Sequence, residues 1–130
     1  MTNIKRVSPV EAKRLMDEEG YTYVDVRTEA EFAAGRPAGA QLVPWAFSGP
    51  TGMVPNPDFV ATMQKTFAKD QKLVLGCRSG GRSLKAAQAL VAAGFTDVID
   101  QRAGWDGARN AFGQVSEKGW AAEGLPTEKG

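Results

Sequence analysis

The chain has 130 residues, with 16 Lys and Arg against 15 Asp and Glu, so its formal net charge is +1. This length, with 42% hydrophobic and 24% charged residues, predicts one globular domain spanning residues 1–130. The absence of histidine and the presence of one cysteine exclude histidine chemistry, an internal disulfide and a zinc site built from several thiolates. Because the charge is balanced, we expect neither nucleic acid nor a membrane surface as a partner.

The beginning of the chain carries Lys5 and Arg6 but no apolar run behind them, so we expect no secretory signal. No stretch approaches the roughly 18 apolar residues of a membrane span. A lone thiol is typical of a reducing compartment, and the cytoplasm is therefore the predicted location. We expect no metal and no cofactor.

Short β-rich runs alternate with helical patterns, which is typical of a parallel α/β sheet. Ser8 and Glu11 form a capping box that predicts a helix from Pro9 to about Glu19. Thr28 and Glu31 form a second capping box. The predicted strands are 21–26, 41–44, 72–76 and 97–100, and three further helices are predicted to end near residues 35, 67 and 93.

Two segments lack a clear pattern. Residues 44–57 hold four of the seven prolines, which predicts an irregular loop. Its apolar residues Trp45, Phe47 and Met53 are expected either to border a pocket or to pack into the core. Residues 103–130 are expected to form short helices that wrap the sheet and are anchored by three aromatic side chains, those of Trp105, Phe112 and Trp120.

The cysteine, Cys77, directly follows the most apolar predicted strand and precedes a predicted helix. In open parallel sheets, ligands bind where such strand ends lead into helix N-termini. Gly80 and Gly81 allow the loop to turn tightly, so that its N–H groups can face inward and bind an anion. We therefore expect Cys77 to ionise more readily than a free cysteine. Residues 71–96 also carry four basic residues and no acidic one, which favours a small anionic substrate.

The other reading of this loop is structural. In that reading Cys77 is a small buried hydrophobic residue and the glycines only shape a turn. Ser79 and Ser83 either donate hydrogen bonds to a bound ligand or cap the helix. Asp25 and Arg27, two apart on a strand, lie on one face and are interpreted mainly as groups that order nearby loops.

The loop resembles that of the rhodanese superfamily, in particular its short single-domain members from bacteria and plants. The matching residues occur in the family's order and cover roughly residues 4–127. They are Asp25-Val26-Arg27 with Glu31-Phe32, Gly39-Ala40, Cys77-Arg78-Ser79-Gly80-Gly81-Arg82, Gly94-Phe95 and Gly124-Leu125-Pro126.

The resemblance implies a three-layer α/β/α fold with a five-stranded, mainly parallel sheet. It also implies sulfurtransferase activity, in which Cys77 attacks the sulfane sulfur of thiosulfate or a similar donor and becomes a persulfide. Cyanide, a thiol or a sulfur-relay protein would then accept the sulfur. The residues expected to bind the anionic donor are Arg78, Ser79, Gly80, Gly81 and Arg82, and those expected to support them are Asp25, Arg27 and Ser83.

Other functions remain open from the sequence. A persulfide carrier or a regulatory module without enzymatic activity would use the same fold. Phosphatases and arsenate reductases of related fold have five residues between Cys and Arg, whereas four lie between Cys77 and Arg82, which disfavours them.

Two departures from the family pattern affect the predicted site. Residues 36–40 lack the histidine that many relatives have there. Extra residues, about 106–119, separate Gly104-Trp105 from Trp120, and we expect this insertion to alter either the surroundings of the site or a partner surface.

Overall fold

The computed structural model describes residues 3–130. Eleven short strands and four helices follow one another along this part of the chain. In chain order they are β1 (Arg6–Val7), α1 (Pro9–Glu19), β2 (Thr22–Asp25), α2 (Glu29–Ala34), β3 (Arg36–Pro37), β4 (Gln41–Leu42), β5 (Ala46–Gly49), β6 (Gly52–Pro55), α3 (Phe59–Thr66), β7 (Leu73–Gly76), α4 (Gly81–Ala92), β8 (Val98–Gln101), β9 (Gly107–Arg109), β10 (Val115–Lys118) and β11 (Thr127–Glu128).

Five of these strands form the central sheet, in the order β1-β8-β7-β2-β4. All of its strand pairs are parallel, and the register places Asp25 of β2 beside Gly76 of β7. Strand β7 lies at the centre and is buried along its whole length. The predicted fold class is therefore confirmed, and the carboxyl ends of β2, β7 and β8 meet at one edge of the sheet.

Both faces of the sheet are covered, which gives the three layers. Because successive side chains of a strand point to opposite faces, Leu73 and Leu75 of β7 enter one core cluster and Val74 enters the other. The first cluster includes residues of α3 and α4, among them Met63 and Leu90. The second includes Ala12 and Leu15 of α1 together with Trp120.

The two predicted N-cap residues explain where the first helices begin, although only one of the two predicted capping boxes forms in full. At α1 the Glu11 carboxylate binds Arg14, so only the Ser8 half of that box is present. The Ser8 hydroxyl accepts the N–H of Glu11 at 3.1 Å, and α1 ends at Gly20, whose φ of 76° is left-handed. At α2, Thr28 and Glu31 bond reciprocally, each side chain accepting the other's backbone N–H. Both helices therefore begin where the sequence predicts.

The prediction of an irregular loop over residues 44–57 was wrong. This segment contains an antiparallel hairpin, β5–β6, with Phe47 opposite Val54. Pro44 and Pro57 lie outside the hairpin, Pro50 lies in its turn and Pro55 is its last residue. At none of these positions does the missing N–H break a central hydrogen-bond ladder. Trp45 packs edge-on against Phe59 with ring centroids 5.1 Å apart, whereas Phe47 and Met53 are about half exposed.

The prediction of short helices over residues 103–130 was also wrong. Strands β9 and β10 form a hairpin from most of the insertion, and β11 pairs with β3. Trp120 is fully buried and meets Tyr23 edge-on at 5.5 Å, but Phe112, at the hairpin tip, is 86% exposed and anchors nothing. The pattern misled because a two- to four-residue strand is too short to show an alternation.

Strand β1, at the edge of the sheet beside β8, was not predicted. Two residues are too few to carry a periodic signal.

No helix in residues 3–130 is long and apolar enough to cross a membrane.

Candidate active site

Cys77 lies at the carboxyl edge of the sheet, directly after β7 and before α4. Its sulfur accepts a hydrogen bond from the backbone N–H of Gly80 at 3.1 Å. In residues 3–130 this is the one hydrogen bond to the sulfur, where the sequence predicted a group of inward N–H donors. The residue is 2% exposed and belongs to the core cluster that contains Val26 and Ala86, so its side chain is almost completely shielded from solvent.

The outer side of the loop is held by the segment that follows β8. The N–H of Trp105 donates to the carbonyl of Cys77 at 2.8 Å, and that of Asp106 donates to the carbonyl of Arg78 at 2.9 Å. Gly104 has a φ of 65°, and a Cβ there would lie 2.5 Å from both of these carbonyl oxygens. Only glycine therefore permits the close approach of the two backbones.

Gly80 connects the sulfur to a second set of charged groups. Its φ is 100°, and any side chain would collide with the carbonyl of Arg102. Its N–H binds the sulfur, while its carbonyl accepts from Nη2 of Arg6 at 3.2 Å and from the hydroxyl of Ser83 at 3.4 Å. Gly80 is the N-cap residue of α4, and Ser83 is the third residue of that helix. The Ser83 hydroxyl donates to the Gly80 carbonyl and therefore does not cap the helix.

Arg6 and Asp100, neighbours on β1 and β8, were missed by the sequence analysis. Nε of Arg6 donates to the Asp100 carboxylate at 2.8 Å, and the Asp100 side chain is fully buried. Burial raises the pKa of Asp100, and the neighbouring Ser83 and Arg6 side chains oppose this shift. The sequence did carry a signal for Asp100, because this residue ends a predicted parallel strand. The carboxyl ends of parallel strands form the edge of the sheet where ligands bind.

Asp25 and Arg27 form a buried ion pair beside the loop. Arg27 donates to both carboxylate oxygens, with the shortest contact 2.6 Å, and also to the carbonyl of Gly35 at 2.6 Å. Its guanidinium lies 5.1 Å from the ring centre of Trp105. These contacts fix the end of β2 against α2 and against the segment that holds the loop.

Arg82 is bound by a carboxylate from a distant part of the sequence. Its two Nη atoms donate to the two oxygens of Glu31 at 2.9 and 3.1 Å. Burial alone would raise the pKa of Glu31, but the paired Arg82 outweighs it and lowers that pKa to about 2. The same pairing raises the pKa of Arg82. Glu31 was predicted as a capping residue and as part of the family-like Glu31-Phe32 pattern, but its pairing with Arg82 gave no local signal.

Arg78 also has an acidic partner, Asp106 of the insertion. Nε of Arg78 donates to the Asp106 carboxylate, and the Arg78 side chain is 65% exposed. This contact raises the pKa of Arg78. Ser79 and Gly81, the remaining predicted binding residues, are exposed on the loop and at the first position of α4.

A cavity of about 270 Å³ opens beside this loop. Cys77 is not among the lining residues; the cavity reaches the loop at Arg78. Its walls are formed by Arg27, Glu31, Ala34, Arg78, Trp105 and Asp106. This volume suits a molecule of a few heavy atoms rather than a large ligand.

The net charge around the Cys77 loop is lower than the sequence of segment 71–96 predicts. The basic residues of segment 71–96 predicted an excess of positive charge, but Arg78 and Arg82 are paired with Asp106 and Glu31 from elsewhere. The sequence window missed both partners because they lie far along the chain. In residues 3–130, no group of three or more acidic, cysteine or histidine side chains is placed to hold a metal ion.

The family can now be assigned from comparison with known proteins. The model of the rhodanese-like domain matches residues 8–111, most of the chain. The chain belongs to the rhodanese-like domain family. Residues 112–119, the later part of the insertion, lie beyond the matched range.

Relatives in this family agree in sequence and in fold. Thiosulfate sulfurtransferase 16, chloroplastic, of Arabidopsis thaliana is 40% identical over 84% of this chain and 81% of its own. The senescence-associated protein DIN1 of Raphanus sativus is 41% identical over 75% of this chain, which spans only 53% of that relative. Among solved structures, Rv0390 from M. tuberculosis is 31% identical, with a TM-score of 0.80 over 99% of this chain and all of its own. This chain therefore shares the rhodanese family and fold with proteins named as sulfurtransferases.

Proposed function

We propose that the protein transfers a sulfane sulfur from a small anionic donor, such as thiosulfate, through a persulfide on Cys77. The observation that carries this proposal is the placement of the sulfur: it receives a backbone N–H from a tight loop at the carboxyl edge of a rhodanese-like sheet. The names of the relatives support sulfurtransfer as the class of reaction.

The proposed reaction has two steps and needs no histidine. In the first, the Cys77 thiolate forms a bond to the outer sulfur of thiosulfate, the donor's S–S bond breaks, and its electron pair leaves with sulfite. In the second, cyanide or a thiolate attacks the outer sulfur of the persulfide and the Cys77 thiolate is restored. Both leaving groups are stable anions, so no proton has to be supplied by a general acid.

The loop supplies the stabilisation that this chemistry needs. The Gly80 N–H that binds the thiol sulfur is also positioned to bind the negative persulfide formed from it. Ser79 and Gly81 flank this amide on the exposed side of the loop. The N-terminus of α4, which begins at Gly81, contributes partial positive charge in the same direction.

Arg78 is the group best placed to bind the donor's oxygens, because it lines the cavity and its side chain is largely exposed. A guanidinium offers paired donors that match an oxyanion. Arg82 is bound through both Nη atoms to Glu31, so it joins α2 to the start of α4 and its charge is balanced there. A cytoplasmic location remains our prediction for this chain, although several relatives carry chloroplastic in their names.

Mass measurement in series tests the proposal. The intact protein is measured as purified and reduced, then after thiosulfate, then after cyanide. We expect a gain of one sulfur atom with thiosulfate, loss of that atom with cyanide, and release of thiocyanate. C77S, which keeps the size of the side chain, is expected to gain nothing.

The outcomes distinguish the remaining functions. A sulfur that is gained but released slowly to every small acceptor would indicate a persulfide carrier that needs a protein acceptor. No gain from thiosulfate or from any other sulfane donor would overturn the proposal. Hydrolysis of an aryl phosphate without sulfur uptake would indicate a phosphatase instead.

A further inference from the structure

The insertion places a carboxylate in the wall of the cavity beside the Cys77 loop. Asp106 immediately precedes β9 and lines the cavity together with Glu31 and with Arg78, its ion-pair partner. Its backbone N–H donates to the carbonyl of Arg78 at 2.9 Å, while its side chain binds Nε of Arg78. Asp106 is therefore held against Arg78 by two contacts, one from its backbone and one from its side chain.

The charges that line the cavity and their direct partners cancel. Arg27 is neutralised by Asp25, Arg82 by Glu31, and Arg78 by Asp106. The first of these pairs is buried and the second is bidentate, whereas the third is largely exposed and bound through Nε. Asp106 is thus the carboxylate whose charge can be removed with the least disturbance of the buried contacts, and its removal leaves the cavity with one net positive charge.

We infer that Asp106 sets the charge selectivity of the site by opposing the approach of strongly anionic donors to Cys77. The inference rests on the proposed function only in taking Cys77 as the reacting group. A dianionic donor such as thiosulfate has to enter against this carboxylate and compete with it for Arg78. A donor with less negative charge meets less opposition.

The test compares D106N with the unchanged protein using three reagents of increasing charge. Iodoacetamide is neutral, iodoacetate carries one negative charge and thiosulfate carries two. The first two alkylate the Cys77 thiolate with loss of iodide, and the third adds sulfur with loss of sulfite. Asparagine keeps the shape of the side chain and its hydrogen-bond acceptor, so the loop contact is retained while the charge is removed.

A graded effect is expected. For a carboxylate about 6 Å from the reagent in water, removing the charge should raise the rate about threefold for iodoacetate and about tenfold for thiosulfate, with iodoacetamide unchanged. The differences should shrink at high salt, because the carboxylate is exposed. E117Q is the matched control: Glu117 lies in the same hairpin and pairs with Arg102 at 2.8 Å, but it does not line the cavity.

The result also separates this inference from the proposed function. Equal changes for all three reagents, or no change for either anion, would overturn the role of Asp106. If alkylation shows the charge effect while thiosulfate adds no sulfur to any variant, the proposed donor is wrong and the role of Asp106 stands. Should the alkylating reagents fail to reach Cys77, an unchanged thiosulfate rate in D106N by itself overturns the inference.

Discussion

The two sides of the cavity are built differently. On the side of β2, the Asp25–Arg27 pair is almost completely buried, and Arg27 also binds Gly35 and lies over Trp105. On the side of the insertion, Arg78 and Asp106 meet in the open. A buried pair is costly to break, whereas an exposed pair contributes little to stability. The first side therefore maintains the fold around the site, and the second is free to tune what reacts there.

The largest loss of stability is expected from R27M. Removing the guanidinium leaves the Asp25 carboxylate buried without its partner, at a cost of about 3–5 kcal/mol in unfolding free energy. The double variant D25N/R27M should recover part of this loss, because the uncompensated charge is gone. Urea unfolding of both variants measures the difference, and a double variant less stable than R27M would contradict the assigned role of the pair.

A smaller loss is expected from R6Q, at the opposite edge of the sheet. Asp100 is fully buried but Arg6 is partly exposed, so we expect a loss of about 2–3 kcal/mol at neutral pH. Burial raises the pKa of Asp100, so this loss should grow as the pH rises past that raised pKa and the carboxylate ionises. A loss that is constant from pH 3 to pH 7, measured by urea unfolding, would show that Asp100 charge is not its cause.

The same variant tests how Gly80 is held. R6Q removes the charged donor to the Gly80 carbonyl, whose peptide group donates to the Cys77 sulfur through its N–H. We expect slower alkylation of Cys77 by iodoacetamide at fixed pH. R14Q is the control, since Arg14 forms an exposed pair with Glu11 on α1. An unchanged rate in R6Q would show that Ser83 and the helix suffice to place Gly80.

E31Q is expected to cost less, about 1–2 kcal/mol at neutral pH. Glutamine retains the oxygen that completes the capping box, so the loss reports on the bond to Arg82. The pKa of Glu31 is lowered to about 2, so the carboxylate stabilises the fold above its ordinary value of 4.5. That contribution is lost as the pH falls from about 4.5 to about 2, and the unfolding curves of E31Q and the unchanged protein should converge there. Curves that stay parallel would contradict the pairing.

The smallest effect on stability is expected from D106N. Its thermal midpoint should equal that of the unchanged protein, although its rates with anionic reagents change. A clear fall in the midpoint, measured by calorimetry, would mean that the insertion supports the loop as firmly as Arg27 does. The contrast between the two sides of the cavity would then be lost.

The sequence predicts those parts of the molecule whose causes are local. Caps such as Thr28–Glu31, the apolar run of β7 and the glycines of the loop each act within a few residues, so the four helices and the position of Cys77 follow from them. The three-layer fold class was implied by the family resemblance. Pairings across the sequence do not: Asp106 meets Arg78, and Glu31 meets Arg82, only because the fold brings them together. For that reason the predicted excess of positive charge disappeared in the structure.

The hairpins show the same limit from another direction. Strands β5 and β6 were not predicted because prolines lie in and around them. Strands β9 and β10 are too short for an alternating pattern. A two-stranded hairpin is determined by its turn and by the surface beneath it, and neither is visible in a short stretch of sequence. The insertion was recognised by its length, but its contribution of Asp106 to the site needed coordinates.

The most direct test of the account uses thiosulfate that carries a heavy sulfur isotope only at its outer position. After brief reaction, the protein is digested and the peptide that contains Cys77 is weighed alongside the released sulfite. The account predicts that the heavy atom is on the Cys77 peptide and that the sulfite is light. A heavy atom that stays in solution, or that is found on any other peptide, would contradict the assignment of Cys77 as the sulfur acceptor.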